Sequence, residues 1–149
     1  MGIKLAKPTD CPISSAYGVA GKHWLWHLEN GIWVKGQKDG MGNHRGYDFK
    51  TPIGTPVFAC TDGFISRAGW EVEDHRDKGF GLRIIQSFVA DGKAHILFYG
   101  HLSQLVINEG RINKGQVIAM SGNTGRSSGP HLHVEVRDLN QISQPIEWV

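Results

Sequence analysis

Two apolar runs, residues 82–88 and 94–99, are joined by Ala90, Asp91, Gly92 and Lys93. An Asp-Gly pair between such runs favours a tight turn whose twist matches that of two paired strands, so the segment reads as a β-hairpin. The chain holds twenty glycines and few apolar periodicities of helical length. Short strand-like runs instead recur between turn signals. Thr51, Pro52, Ile53, Gly54, Thr55 and Pro56 form one turn, residues 57–60 a short buried strand, and Asp62-Gly63 the turn into a strand over 64–70. Glu109-Gly110 and Lys114-Gly115 flank further short strands between 105 and 120. The expectation is a mainly β fold, a sandwich or open barrel.

Residues 121–137, SGNTGRSSGPHLHVEVR, change character midway. The first ten are crowded with glycine, serine, Asn123, Thr124 and Pro130, a composition that breaks regular structure. Thereafter Leu132, Val134 and Val136 alternate with His131, His133 and Glu135, the period of two of a strand. One face is apolar and the other presents two imidazoles and a carboxylate. Such a face is the floor of a site or a pair of partly exposed histidines on a sheet, and the segment alone does not separate the two.

Other chemistry-bearing residues are scattered. His44 and Asp48 lie four apart around Gly46 in HRGYD, on an irregular turn entering a strand, and both are good zinc ligands. His101 follows the second apolar run and is expected at a strand's end, where functional side chains are commonly displayed. His23 and His27 have the spacing of a helical metal pair but lack any accompanying motif. His75 sits in the most charged segment, 71–81, read as a solvated loop and a candidate cleft wall; His95 carries no accompanying signal. Trp24, Trp26 and Trp33 supply core volume or line a groove, the core reading being favoured, and Trp148 reads as the residue that packs the tail onto the body.

The 149 residues suit one domain, 1–149, with an ordinary soluble composition and no need of disulfide support. Cys11 and Cys60 match no zinc-ribbon spacing and read as small buried or half-buried thiols rather than a pair. A net charge of +2 is too small to argue for nucleic acid. No run is long enough to span a membrane, and residues 1–15 carry no apolar core of a signal peptide. Taken as a full chain, the product is made in the cytoplasm; taken as an excised piece of a secreted protein, the missing signal carries no weight.

With these residues marked, the sequence resembles the lysostaphin-type (LytM-like) zinc metalloendopeptidases that cut the peptide part of bacterial peptidoglycan. The resemblance spans about residues 11–148. It rests on HRGYD at 44–48, TPIGTPVFACTDGFIS at 51–66, YGHLS at 99–103, KGQVIAMSGNTGRSSGPHLHVEV at 114–136 and the close around Gln144-Pro145. It implies a central antiparallel sheet lining a groove, one Zn²⁺ held by His44, Asp48 and His133, and His101 and His131 as non-ligand catalytic histidines. No role is carried over to Asn123. The first forty residues and 71–81 match least and are expected to bear on substrate choice, with 30–43, 70–81 and 121–130 as groove walls.

Elementary chemistry agrees with that assignment. A catalytic zinc site needs three protein ligands and an open position for water. With no HExxH helix to provide a glutamate base, a histidine titrating near neutrality can do that work. His131 faces the same side as His133, and His101, if protonated, would stabilise an oxyanion; which of the two is the base stays open. Glu135 reads as a partner orienting an imidazole or as a solvated strand residue, the second being favoured. The expected activity is hydrolysis of cross-bridge or stem peptides of the wall by a monomer, without nucleic acid or membrane insertion. A phage-type lysin or virion-associated hydrolase is the expected setting. The alternative is a non-catalytic relative that binds wall or regulates another hydrolase. Both glycyl–glycine and D-alanyl–diaminopimelate bonds are cut within the family, and the sequence does not choose between them.

Overall fold

The computed structural model describes residues 2–18, 26–35 and 44–149. Among them there is no helix, and fourteen strands follow in order. They are β1 (Ile3–Leu5), β2 (Ile13–Ser15), β3 (Trp26–Glu29), β4 (Ile32–Lys35), β5 (Tyr47–Phe49), β6 (Pro56–Phe58) and β7 (Gly63–Trp70). β8 (Leu82–Ala90), β9 (Lys93–Leu105), β10 (Gly110–Ile112), β11 (Val117–Ser121), β12 (Leu132–Asp138), β13 (Ser143–Gln144) and β14 (Ile146–Trp148) complete the chain. The mainly β expectation holds.

The hairpin of β8 and β9 is the centre of the main sheet, whose order is β10-β7-β8-β9-β12-β5-β2, with every pairing antiparallel. Asp91 and Gly92 both take positive φ, at 52° and 73°, the backbone a two-residue turn of this type requires. β9 is long enough to serve two neighbours on one side. Residues 95–100 pair with β12, and 102–105 pair with β11. His101 stands at the changeover with φ of 61°. It therefore lies inside a thirteen-residue strand at an irregularity, not at a strand's end as the apolar run implied.

One face of the sheet builds the core. Ile84, Leu97, Tyr99, Leu132, Val134 and Val136 are fully buried there, packed against Val57, Ile112 and Ile118. Cys60 is buried in the same core and Cys11 is half-buried; neither is in a disulfide. β1 pairs in parallel with β14, and Trp148 sets its ring edge-on against Tyr47 and Phe49, closing the tail as expected. The short strand expected over 57–60 is shifted to Pro56–Phe58. His27 lies on β3, so the helical spacing considered for it and His23 does not apply; His23 and Trp24 lie outside the described residues.

Candidate metal centre

The opposite face of the sheet carries the site. In β5 the period of two sends Tyr47 and Phe49 to the core and Asp48 to the other side. Asp48 is in register with His133 on β12, so their side chains share a face. His44, just before β5, completes the group. His44 Nε2 lies 3.3 Å from His133 Nδ1 and 3.4 Å from Asp48 Oδ1, and the remaining side of the triangle is 2.9 Å. Tetrahedral zinc with bonds of about 2.0–2.1 Å has ligand–ligand edges of roughly 3.3–3.4 Å. Two of the three sides meet that value and the third falls somewhat short.

The outer nitrogens fix which atoms face inward. His44 Nδ1 is 3.2 Å from the Ala16 carbonyl and 3.0 Å from Ser15 Oγ. Donation to the Ala16 carbonyl leaves a lone pair on Nε2. His133 Nε2 donates to Glu135 Oε1 at 3.0 Å, which leaves the lone pair on Nδ1. Two lone pairs and a carboxylate thus converge in a buried place that calls for a cation. Without a metal, His133 itself answers that demand. Burial works against its charge, but Asp48 and Glu135 outweigh burial and carry the imidazole up to about 9. These donors can hold a metal ion.

Glu135 departs from expectation. It is 2 % exposed, not solvated. One oxygen accepts a hydrogen bond from His133 Nε2 and the other accepts from Arg137 Nε and Ser143 Oγ. Burial alone would raise its pKa, but His133 and Arg137 hold it below the usual carboxylate value. It is the orienting partner of an imidazole, the less favoured of the two readings. Alternation gives its face but not its cover, which comes from elsewhere: Phe80 lies 5.4 Å from the His133 ring, and Arg137 stacks on Phe98 at 4.4 Å.

His101 and His131 flank the cluster, their ring centroids 4.6 Å apart. His101 Nδ1 donates to the Thr124 carbonyl at 2.7 Å, and His131 Nδ1 donates to the Gly129 carbonyl at 2.8 Å with Ser127 Oγ at 3.0 Å. Each ring therefore carries its lone pair on Nε2, and His131 Nε2 lies 3.7 Å from Asp48 Oδ1. Burial first, then the nearby His131, pushes His101 down to about 4. His101 is neutral at neutral pH, so the protonated helper considered from sequence is not its resting state.

Both carbonyls belong to the glycine-rich loop, and that loop is tied to the charged one. Gly125 donates to Arg76 O, Arg126 to Gly79 O, and Leu82 to Thr124 Oγ1. The backbones touch where Gly81 and Gly125 meet, both at positive φ; a Cβ on either would lie 2.3 Å from the other's nitrogen. The walls expected at 70–81 and 121–130 stand together beside the site, while 36–43 lie outside the described residues. His75 is exposed on that loop, and His95 is buried on the core side against Phe88.

Gly46 has a packing role that its helix-breaking character did not reveal. A Cβ there would sit 2.4 Å from the Val134 carbonyl oxygen and 3.0 Å from Cε1 of His133. Gly46→Ala is expected to push β5 off β12, costing roughly 1–3 kcal/mol of stability and weakening any metal binding by the His44, Asp48 and His133 donors. Denaturant melts and a zinc titration on the same variant test both.

His101 also sets an acid limit. Its folded value of about 4 lies below the ordinary 6.5, so between these pH values the unfolded chain binds a proton the folded one refuses. In protein stripped of metal, this stability is full above 6.5 and is lost as pH falls toward 4, by up to about 3 kcal/mol. Denaturant melts at pH 7 and 4.5 should show a smaller drop for His101→Gln than for the wild type.

The family model described as Peptidase family M23 matches residues 42–145, a shorter span than the 11–148 expected from motifs. The glycyl-glycine endopeptidase ALE-1 of Staphylococcus capitis is 42% identical over 103 residues, 68% of this chain and 26% of that protein. The peptidoglycan DD-endopeptidase ShyA of Vibrio cholerae is 39% identical over 94 residues, 62% of this chain and 20% of that protein. The chain spans about a quarter or less of the length of the curated relatives it matches. Among solved structures, the catalytic domain of the antimicrobial peptidase lysostaphin from Staphylococcus simulans aligns with a TM-score of 0.67 at 32% identity. That alignment covers 91% of this chain and 89% of that one.

Proposed function

The chain belongs to peptidase family M23, and from that premise we propose that it is a zinc-dependent endopeptidase hydrolysing peptide bonds of bacterial peptidoglycan. The observation that carries the reading is the buried triangle of His44 Nε2, Asp48 Oδ1 and His133 Nδ1 with two further imidazoles beside it. In this proposal those three residues hold one Zn²⁺, which when bound supplies a Lewis acid for the scissile carbonyl and acidifies water.

The chain's own residues do the rest. His131 Nε2, beside Asp48, accepts the proton that the attacking water loses as its oxygen bonds to the carbonyl carbon. The carbon–nitrogen bond then breaks, and the proton passes from His131 to the departing amine. His101 Nε2 accepts a hydrogen bond and orients the water, its ring held by the Thr124 carbonyl. Glu135 and the Ala16 carbonyl keep the ligand imidazoles in the tautomers that face lone pairs inward.

β1 pairs with β14, and Leu5 and Ile146 enter the same core as the main sheet, which supports a single domain; a monomer is proposed with it. A phage-type lysin or virion-associated hydrolase is the setting proposed with it. Mass spectrometry of purified sacculi digested by the zinc-loaded protein tests the reading. New peptide termini at one bond type are expected; wall binding without new termini would instead fit a non-catalytic relative.

A further inference from the structure

The site face of the sheet continues past the metal centre. Facing partners share a face, so Glu135, Phe98, Ile85 and Arg67 form one row across β12, β9, β8 and β7. The next row is Arg137, Ile96, Ser87 and Phe64. Arg83, opposite Gly69 on β7, stands level with the irregularity at residues 100–101, two strands from His133. The floor toward β7 is thus apolar along its middle and basic at its far side.

Its charges are not balanced. Glu135 is already engaged by His133 and Arg137. Glu71 accepts the Phe80 N–H at 2.9 Å and pairs with Arg83 Nη1 at 3.3 Å. Arg83 Nε is buried with no hydrogen-bond partner, and among the described residues Arg67 is exposed with no ion pair. Burial lowers the proton affinity of Arg83 and Glu71 raises it, while Arg67 and Arg137 lower it again, the mark of neighbouring positive charge.

We propose that Arg67 and Arg83 form a subsite for a carboxylate at the end of an aliphatic side chain of the bound peptide. The aliphatic part would lie over Ile85, which is half-buried, since Phe98 beside it is covered by Phe80 and Arg137. An acidic stem peptide is then the substrate class, not a neutral glycine bridge. Neighbouring strands are about 4.8 Å apart, which puts Arg83 about 10 Å from His133. An extended peptide advances about 3.3–3.6 Å per residue, so the carboxylate belongs two or three residues from the scissile bond. The inference rests on the peptidase reading and narrows it.

Three substrates separate the possibilities: a D-alanyl–diaminopimelate cross-linked dimer in which the donor stem's diaminopimelate, second from the scissile bond, keeps its side-chain carboxylate free, the same dimer amidated at that carboxylate, and pentaglycine. The zinc-loaded wild type should cleave the free-carboxylate dimer with the lowest KM. Arg67→Gln should raise that KM about tenfold or more, the worth of a charge-assisted hydrogen bond. It should leave kcat, and the KM for the amidated dimer, nearly unchanged. Arg83→Gln should act alike; Arg67 is exposed and keeps the test open if loss of the Glu71 pair unfolds that variant. Equal treatment of the two dimers, equal losses on both, or cleavage of pentaglycine alone would overturn the subsite and leave the peptidase standing. No cleavage of any of the three would overturn the peptidase reading and the subsite with it.

Discussion

His133→Ala is expected to lose zinc and wall hydrolysis together. It removes one of three donors, and structural zinc sites of four ligands bind with roughly 10–16 kcal/mol. One ligand's share implies a loss of affinity on the order of 10²–10³-fold or more. The substitution also removes the proton donor of buried Glu135, whose second oxygen remains engaged by Arg137 and Ser143. Metal analysis after dialysis should find about one zinc per wild-type chain and far less per variant chain. A turbidity assay on purified walls should show clearance only by the wild type. A zinc-free variant that still clears walls would sink the assignment of the metal centre.

His131→Ala and His101→Ala should separate chemistry from metal binding. Neither ring is one of the three donors, so zinc content should stay near the wild-type level. Loss of a general base typically costs 10²–10⁴-fold, and that loss is expected in kcat for His131→Ala with KM little changed. His101→Ala should fall in kcat as well, and it leaves the left-handed backbone at φ 61° unrelieved, since alanine tolerates that conformation no better than histidine. Steady-state kinetics on a soluble cross-linked peptide, alongside zinc analysis of each variant, gives the split. Wild-type kcat in His131→Ala would remove it from the proton transfer proposed above.

Much of this was legible from residue order because strands are simple. The Asp91-Gly92 turn requires two positive φ values, and few residue pairs supply them. Alternation from His131 to Val136 divides core from site correctly, since a strand's faces follow sequence parity. Alternation is silent on what lies above a face. The site face is covered around His133 by Phe80, which arrives from a charged loop fifty residues earlier, and so Glu135 is buried rather than solvated. Nor could parity reveal that His101 sits where β9 changes neighbours, because that position is set by pairing with β12 and β11 together. The carbonyls of Ala16, Thr124 and Gly129 that orient three imidazoles leave no trace in side-chain identity. Gly46 was visible only as a helix breaker; its reason is the 2.4 Å that a Cβ would leave to the Val134 oxygen.

If the three-residue metal centre drives hydrolysis of wall peptide, removing the metal must abolish it and restoring the metal must bring it back. Purified sacculi should be treated with protein stripped of metal by a chelator, then with the same protein after one equivalent of zinc is restored, and the released peptide amines counted. The stripped protein is expected to release no new amines, and adding zinc is expected to restore the untreated rate. Release of the same amines at the same rate by metal-free protein would contradict that role of the metal centre.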